Sequence, residues 1–214
     1  MPRPRAAASV RSRADAWCGS AAGSVGGMEP AILRTERLEL SLPVESDVDA
    51  IYDACQDAET QRYTPVPSPY ERRHAEEFVP RVTADWQSGT HASWAMREGS
   101  VLAGMIGLYR LDGRGSGELG YWVSPWSRRR GLLVEAAGAV IDWGFSPDGL
   151  GLDRIEWRAV VGNVGSARAA RTLGFRFEGT LRQALVGSHG RDDGWIAGLL
   201  ATDDRAPQSW PVLD

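Results

Sequence analysis

The strongest constraint on this chain lies at its middle, where the spacing of apolar residues changes period. "HASWAMRE", "VLAGMIGLYRLD" and "GELGYWVSP" are short and apolar, and turn residues separate them (Glu98-Gly99-Ser100, then Asp112 to Gly117). That pattern predicts three consecutive antiparallel strands. A helical run, "GLLVEAAGAVIDWGF", follows, then a Pro/Gly loop and a further strand, "DRIEWRAVV". The order gives an α+β sheet with one β-α-β crossover.

The flanking segments extend this reading. Leu38, Leu40 and Leu42 alternate with polar residues, as in a strand with one buried face. Ser46 is the expected N-cap of a helix carrying Val48, Ile51, Tyr52 and Cys55 on one side. Ser68-Pro69 marks the start of another, with Phe78, Val82 and Trp86 on one face, and Pro80 is expected to break or kink it. Asn163 and Ser166 open a helix that Gly174 stops. "FRFEGTLRQAL" and "DDGWIAGLLATD" form a closing hairpin.

Composition sets bounds. The 214 residues fit one domain, residues 28–205, with a tail over residues 206–214. No apolar run approaches the ~20 residues of a membrane span. Cys18 and Cys55 stand far apart, give no disulfide framework or metal spacing, and favour a reducing cytoplasm. No metal is expected. Residues 1–27 carry four arginines and one acid with no apolar period, and are read as a disordered extension. Removing their +3 from the formal −4 leaves −7 for residues 28–214, which argues against nucleic acid as partner.

The chemistry concentrates at "SRRRGLLVEA", residues 127–136. A strand ending in "YWVSP", then Arg-Arg-Arg-Gly, then a helix is a geometry for capturing phosphate. The first N–H groups of a helix lack intrahelical partners, and the macrodipole adds positive charge there. No GxGxxG opens this helix and no lysine follows its glycine, so a Rossmann or P-loop reading does not apply here.

Arg128-Arg129-Arg130-Gly131-Leu132-Leu133 resembles the R/Q-x-x-G-x-G/A pyrophosphate loop of the GNAT acyl-CoA-dependent N-acetyltransferases. "ELGYWV" upstream, "VEAAGAVIDWGF" downstream and "NVGSARAARTLGFRFEG", residues 163–179, resemble the branch that holds the ribosomal-protein N-terminal acetyltransferases (RimJ/RimL-like). The resemblance spans roughly residues 31–203. It implies a GNAT fold, a mixed and mostly antiparallel sheet of about seven strands, with the fourth and fifth strands splayed around an acyl-CoA cleft.

The resemblance also implies roles. Backbone amides from Arg129 to Val134 (through Arg130, Gly131, Leu132 and Leu133) receive the pyrophosphate, with the arginine side chains, Arg128 included, assisting. Val123 meets the pantetheine at a strand end. Asn163 matches a pantetheine contact, and N-capping is its plain alternative. Ser166 matches the position beside the cofactor sulfur. Leu133 is bulkier than the usual Gly or Ala, yet keeps its N–H. Leu185 stands where ribosomal-protein-type members carry a glutamate proposed as base, so that role does not carry over. Glu118 is the replacement candidate, since other members place a glutamate base on this strand; an outward-facing strand residue is its plain alternative. The donor is acetyl-CoA, with succinyl-CoA as a variant, and the acceptor a primary amine, either a peptide N-terminus or a small molecule. Acceptor-side residues are expected near Tyr63, Trp86, Trp94 and Trp122. A non-catalytic acyl-CoA sensor is the competing class, and the reading leaves room for a homodimer.

Overall fold

The structure is a computed structural model that describes residues 27–214. The extension assigned to residues 1–27 lies outside the described residues apart from Gly27, and so does Cys18. Eight strands and five helices follow in the order β1 (Leu33–Arg34), β2 (Glu39–Ser41), α1 (Val48–Cys55), α2 (Ala58–Tyr63), α3 (Arg72–Ser88), β3 (Ala92–Glu98), β4 (Val101–Tyr109), β5 (Ser116–Val123), α4 (Leu132–Phe145), β6 (Arg154–Val160), α5 (Val164–Thr172), β7 (Arg176–Gly187) and β8 (Gly190–Leu200). The strands form one sheet, β1-β2-β3-β4-β5-β6-β8-β7. It is antiparallel except between β5 and β6.

Period-two alternation sorts the strand residues between two layers. Ala95 and Met105 face α1, where they pack with Val48, Ile51 and Cys55. Trp94, Ile106, Leu108, Leu119, Ile155 and Trp157 turn to the opposite face, under α4 and α5, with Ala136, Val140, Ala167 and Ala170. Trp94 is fully buried and meets Trp86 and Trp143 edge-on, at ring-centroid distances of 5.0 and 5.2 Å.

One feature of the sheet positions the site. β5 and β6 pair in parallel from Ser116↔Arg154 to Leu119↔Trp157 and no further. Beyond that point Gly120–Val123 stays on β4, while Arg158–Val160 stays on β8. Gly104 lets β5 close on β4 there. A Cβ at Gly104 would overlap the Trp122 carbonyl oxygen and stand 3.0 Å from the Val123 Cα.

Several local expectations are corrected. Ser46 caps nothing: it sits in a 3-10 turn, Glu45–Asp47, and α1 starts at Val48 with Asp47 before it. Asp47 takes both guanidinium nitrogens of Arg97 (2.7 and 2.6 Å) and the Val44 N–H (2.7 Å), so a long-range pair decides the turn. The helix expected from Ser68-Pro69 begins at Arg72, and α3 runs unbroken through Pro80. Pro80 and Glu76 are both exposed, so water satisfies the carbonyl that the proline leaves without a donor.

The segment read as a tail contributes to the core. Trp210 is fully buried, with ring centroids 5.5 Å from Trp157 and 5.4 Å from Phe177, and its indole N–H donates to the Phe175 carbonyl at 3.1 Å. Trp210→Ala should therefore destabilise the protein by about 3–5 kcal/mol, the usual cost of truncating a buried large aromatic. Urea unfolding of the two proteins checks this.

Candidate active site

Where β5 and β6 part, a cavity of about 550 Å³ opens between α2, the segment Ser127–Val134 and the start of α5. The chain leaves β5 through a 3-10 turn, Pro125–Ser127, and enters α4 by way of two left-handed residues, Arg129 (φ 60°) and Gly131 (φ 77°). Gly131 is the N-cap of α4. The only atom near a hypothetical Cβ there is Arg37 Nη2, at 3.6 Å, so backbone conformation rather than crowding is what favours glycine, and the space above it stays open. Intrahelical bonding starts with the Glu135 N–H to the Gly131 carbonyl, 3.2 Å, so the N–H groups of Leu132, Leu133 and Val134 lie before it, and all three residues line the cavity.

The arginine side chains divide differently from the expectation. Arg128 donates to Asp57 (2.5 Å), Glu59 (2.7 Å), Thr60 Oγ1 (3.0 Å) and the Val123 carbonyl (3.2 Å). Arg130 forms a bidentate pair with Glu98, 2.6 and 2.8 Å. Both charges are thus met by carboxylates of the same chain, and these two arginines shape the loop. Arg129 makes no side-chain hydrogen bond or ion pair among the described residues, and neither does Arg168 of α5, which also lines the cavity. Arg37, unremarkable in sequence, braces the loop by donating to the Arg130 carbonyl (2.9 Å) and to Glu135 (2.6 Å). Thr35 Oγ1 and the Arg37 N–H add two more donors to the same carboxylate, holding it below the usual range against the effect of burial.

Val123 turns its backbone away from β4. The Ser124 N–H bonds to Ala103 of β4, so strand alternation turns the Val123 N–H and C=O toward the gap, where Arg128 occupies the carbonyl. Asn163 caps α5, its Oδ1 accepting the Ser166 N–H at 3.2 Å, and it also lines the cavity.

Ser166 is part of a cluster that the sequence did not disclose. Its Oγ lies 2.9 Å from the Tyr121 hydroxyl, and the Trp157 indole N–H reaches both oxygens, at 3.1 and 3.2 Å. The signal was present in "ELGYWV": alternation puts Tyr121 on the α5 side of β5 and Trp122 on the other.

Glu118 sits at the last register steps before the split, opposite Tyr109 and Glu156, on the sheet face away from Ser166. It does not line the cavity. Its Oε2 is buried without a hydrogen-bond partner, 3.3 Å from Arg110 Nη1 and 3.6 Å from Arg158 Nε. Burial pushes its carboxyl above the ordinary range, more than Arg110 and Arg158 pull it down. Leu185 stands against Gly194 in the hairpin, 2.8 Å from where a Cβ of that glycine would lie.

Of the aromatic residues expected on the acceptor side, Tyr63 and Trp122 line the cavity, whereas Trp86 and Trp94 are core. α2 is strapped across the cleft. Its C-terminal Arg62 pairs with Asp192 of β8 through two bonds of 2.9 and 3.0 Å, with His189 at 2.9 Å, and the Tyr63 hydroxyl donates to the Gly162 carbonyl at 3.4 Å.

Comparison with known proteins agrees with this fold. The family profile for the acetyltransferase (GNAT) domain matches residues 37–176. The chain belongs to the GNAT acetyltransferase family. Bacillus subtilis YoaA, an uncharacterised N-acetyltransferase, is 31% identical over 157 residues, covering 72% of this chain and 88% of YoaA. The GNAT fold is shared with RimL, the ribosomal L7/L12 α-N-protein acetyltransferase solved with coenzyme A. That match has a TM-score of 0.72 at 19% identity and covers 79% of this chain and 98% of RimL. It is shared as well with the microcin C7 self-immunity acetyltransferase MccE, solved with acetyl-CoA and AMP (TM-score 0.70, 17% identity, 78% and 93% covered). Among the described residues no helix is long and apolar enough to cross a membrane, and no cluster of metal-ligating side chains occurs.

The Arg128 network makes a checkable claim about this GNAT chain. Arg128→Met should free the first turn of α2 and speed amide hydrogen exchange over Ala58–Tyr63 about tenfold, the equivalent of one charge-assisted hydrogen bond. Protection in β4 and β5 should be unchanged. Exchange mass spectrometry reads both.

Proposed function

We propose that this chain transfers an acetyl group from acetyl-CoA to a primary amine by direct attack within a ternary complex. The observation that carries the reading is the continuity of one cavity from the Arg128–Val134 loop to Ser166. The pyrophosphate binds on the N–H groups of residues 129–134, where the helix dipole of α4 adds to their donors. Arg129 and Arg168, the two guanidinium groups on the cavity without partners among the described residues, meet phosphate charge. The pantetheine arm enters the gap and pairs with the Val123 N–H, and the Asn163 amide meets it from the other wall. The thioester then lies beside the Ser166 hydroxyl, which hydrogen-bonds the charge developing on sulfur. The buried free thiol of Cys55 suits a cytoplasmic enzyme.

The acceptor enters from the α2 side. Its nitrogen must lose a proton, and Glu118 is the group we assign to that task, working through water because it stands one strand step behind Gly120, outside the cavity. A base acts when ionised. A raised carboxyl pKa therefore places the acid limb of the rate profile above the ordinary glutamate value, with activity lost as pH falls through it.

Two measurements test the reading. Free CoA should appear when a panel of peptide N-termini and small amines is offered with acetyl-CoA, and Glu118→Gln should lower kcat by about 10² or more while erasing the acid limb. Near-normal turnover in that variant reassigns proton removal to another group. Separately, Gly131→Val forces a β-branched residue to φ 77° and should weaken acetyl-CoA binding by about tenfold or more, as read by titration calorimetry. Unchanged affinity in a folded variant refutes the loop assignment.

A further inference from the structure

We propose that Tyr121 and Trp157 are positioning residues that present the Ser166 hydroxyl, proton foremost, to the thioester sulfur. The inference rests on the assignment of Ser166 given above and adds what makes that serine competent. A serine hydroxyl at a helix start has one proton and two lone pairs, and it rotates to suit whatever surrounds it. Left alone, it would turn its proton to the nearest carbonyl, the habit by which serine competes with the backbone in helices.

Here its oxygen is met from two sides. Trp157 Nε1 can only donate, and it lies 3.1 Å from Ser166 Oγ and 3.2 Å from the Tyr121 oxygen. Its one proton is shared between the two oxygens in a three-centre bond, so each hydroxyl accepts from it. The remaining contact, Tyr121 to Ser166 at 2.9 Å, can run either way in principle. A phenol is a far stronger donor than an alcohol, and burial drives the Tyr121 pKa upward, which keeps its proton in place. The other acceptor within reach of Tyr121, the Ser166 carbonyl, stands farther off at 3.5 Å, so the phenol proton goes to the nearer Ser166 Oγ. Tyr121 is therefore the donor. Ser166 Oγ accepts twice from the protein, and its own proton is left to point into the cavity that both Tyr121 and Ser166 line.

The chemical consequence lies in one bond change. As the C–S bond of the tetrahedral intermediate breaks, its electron pair goes to sulfur, and the Ser166 O–H donates a hydrogen bond to that charge. The thiolate takes its proton from solvent after leaving. Two donors on Ser166 Oγ polarise its O–H bond and strengthen that hydrogen bond. They also fix its direction before the charge appears, the condition under which such donors lower barriers most. Trp157 is held in turn by Trp210 at 5.5 Å, so the C-terminal segment supports the cluster from behind.

The test is a double-mutant cycle with acetyl-CoA and the fastest amine of the panel, read as free CoA thiol. Tyr121→Phe keeps the ring and removes only the hydroxyl. It should lower kcat about tenfold with KM for acetyl-CoA within about twofold, and Trp157→Phe should act in the same direction. In a Ser166→Ala background, Tyr121→Phe should cost less than about twofold, since its effect passes through Ser166. Equal losses in both backgrounds would show that Tyr121 acts independently and would overturn the proposal. So would a Tyr121→Phe enzyme of wild-type rate when Ser166→Ala is slow. A Ser166→Ala enzyme at full rate would instead overturn the serine's own role, and the positioning with it. Thermal unfolding of each variant separates these outcomes from a loss of fold.

Discussion

The molecule is organised by a parallel ladder that stops. β5 and β6 share four register pairs and then part, although both continue as strands. Each exposes on its inner side N–H and C=O groups that a closed sheet would have satisfied, a cost that buried backbone rarely bears without a partner. Gly104 draws β5 onto β4, β8 retains β6, and Arg128 takes the Val123 carbonyl, so the opening is maintained from three directions. What remains unmatched at its lip is the edge that an extended, amide-bearing ligand can use.

Electrostatics then assigns the loop arginines to different work. Residues 128–130 are identical side chains in succession, yet Arg128 faces α2, Arg130 faces the β3–β4 turn through Glu98, and Arg129 is left to the cavity. The left-handed backbone of Arg129 is what separates them, because it reverses the direction in which that residue projects. A charge-assisted bond within the chain is worth more than a solvated guanidinium, so the two arginines with carboxylates in reach are committed before any ligand arrives.

Local signals explain which parts of the fold and site were legible in the sequence. The meander, the crossover helix, the Asn163 cap and the closing hairpin all depend on spacing within a dozen residues, and the structure has them. The loop itself was readable because its glycine, its preceding strand and its following helix are contiguous. Most of what failed depended on contacts between distant segments. Asp47 displaces Ser46 at α1 because Arg97, fifty residues on, claims the turn. Pro80 passes through α3 because its face is wet. Trp210 reads as part of a tail because nothing nearby in sequence announces Trp157 and Phe177. The Tyr121–Ser166–Trp157 cluster joins three elements, and only the alternation along β5 hinted at one of them.

One further consequence follows from the way α2 is hung. Its first turn is tied to the donor loop through Arg128, and its last residues are tied through Arg62 and Tyr63 to the hairpin and to the approach of α5. A short helix fixed at both ends joins the Arg128–Val134 loop mechanically to the opposite wall of the cavity. Thermodynamic reciprocity then applies: any change that the first ligand makes in affinity for the second is returned in equal measure. Any coupling between ligands held at the two walls would run through six residues of helix.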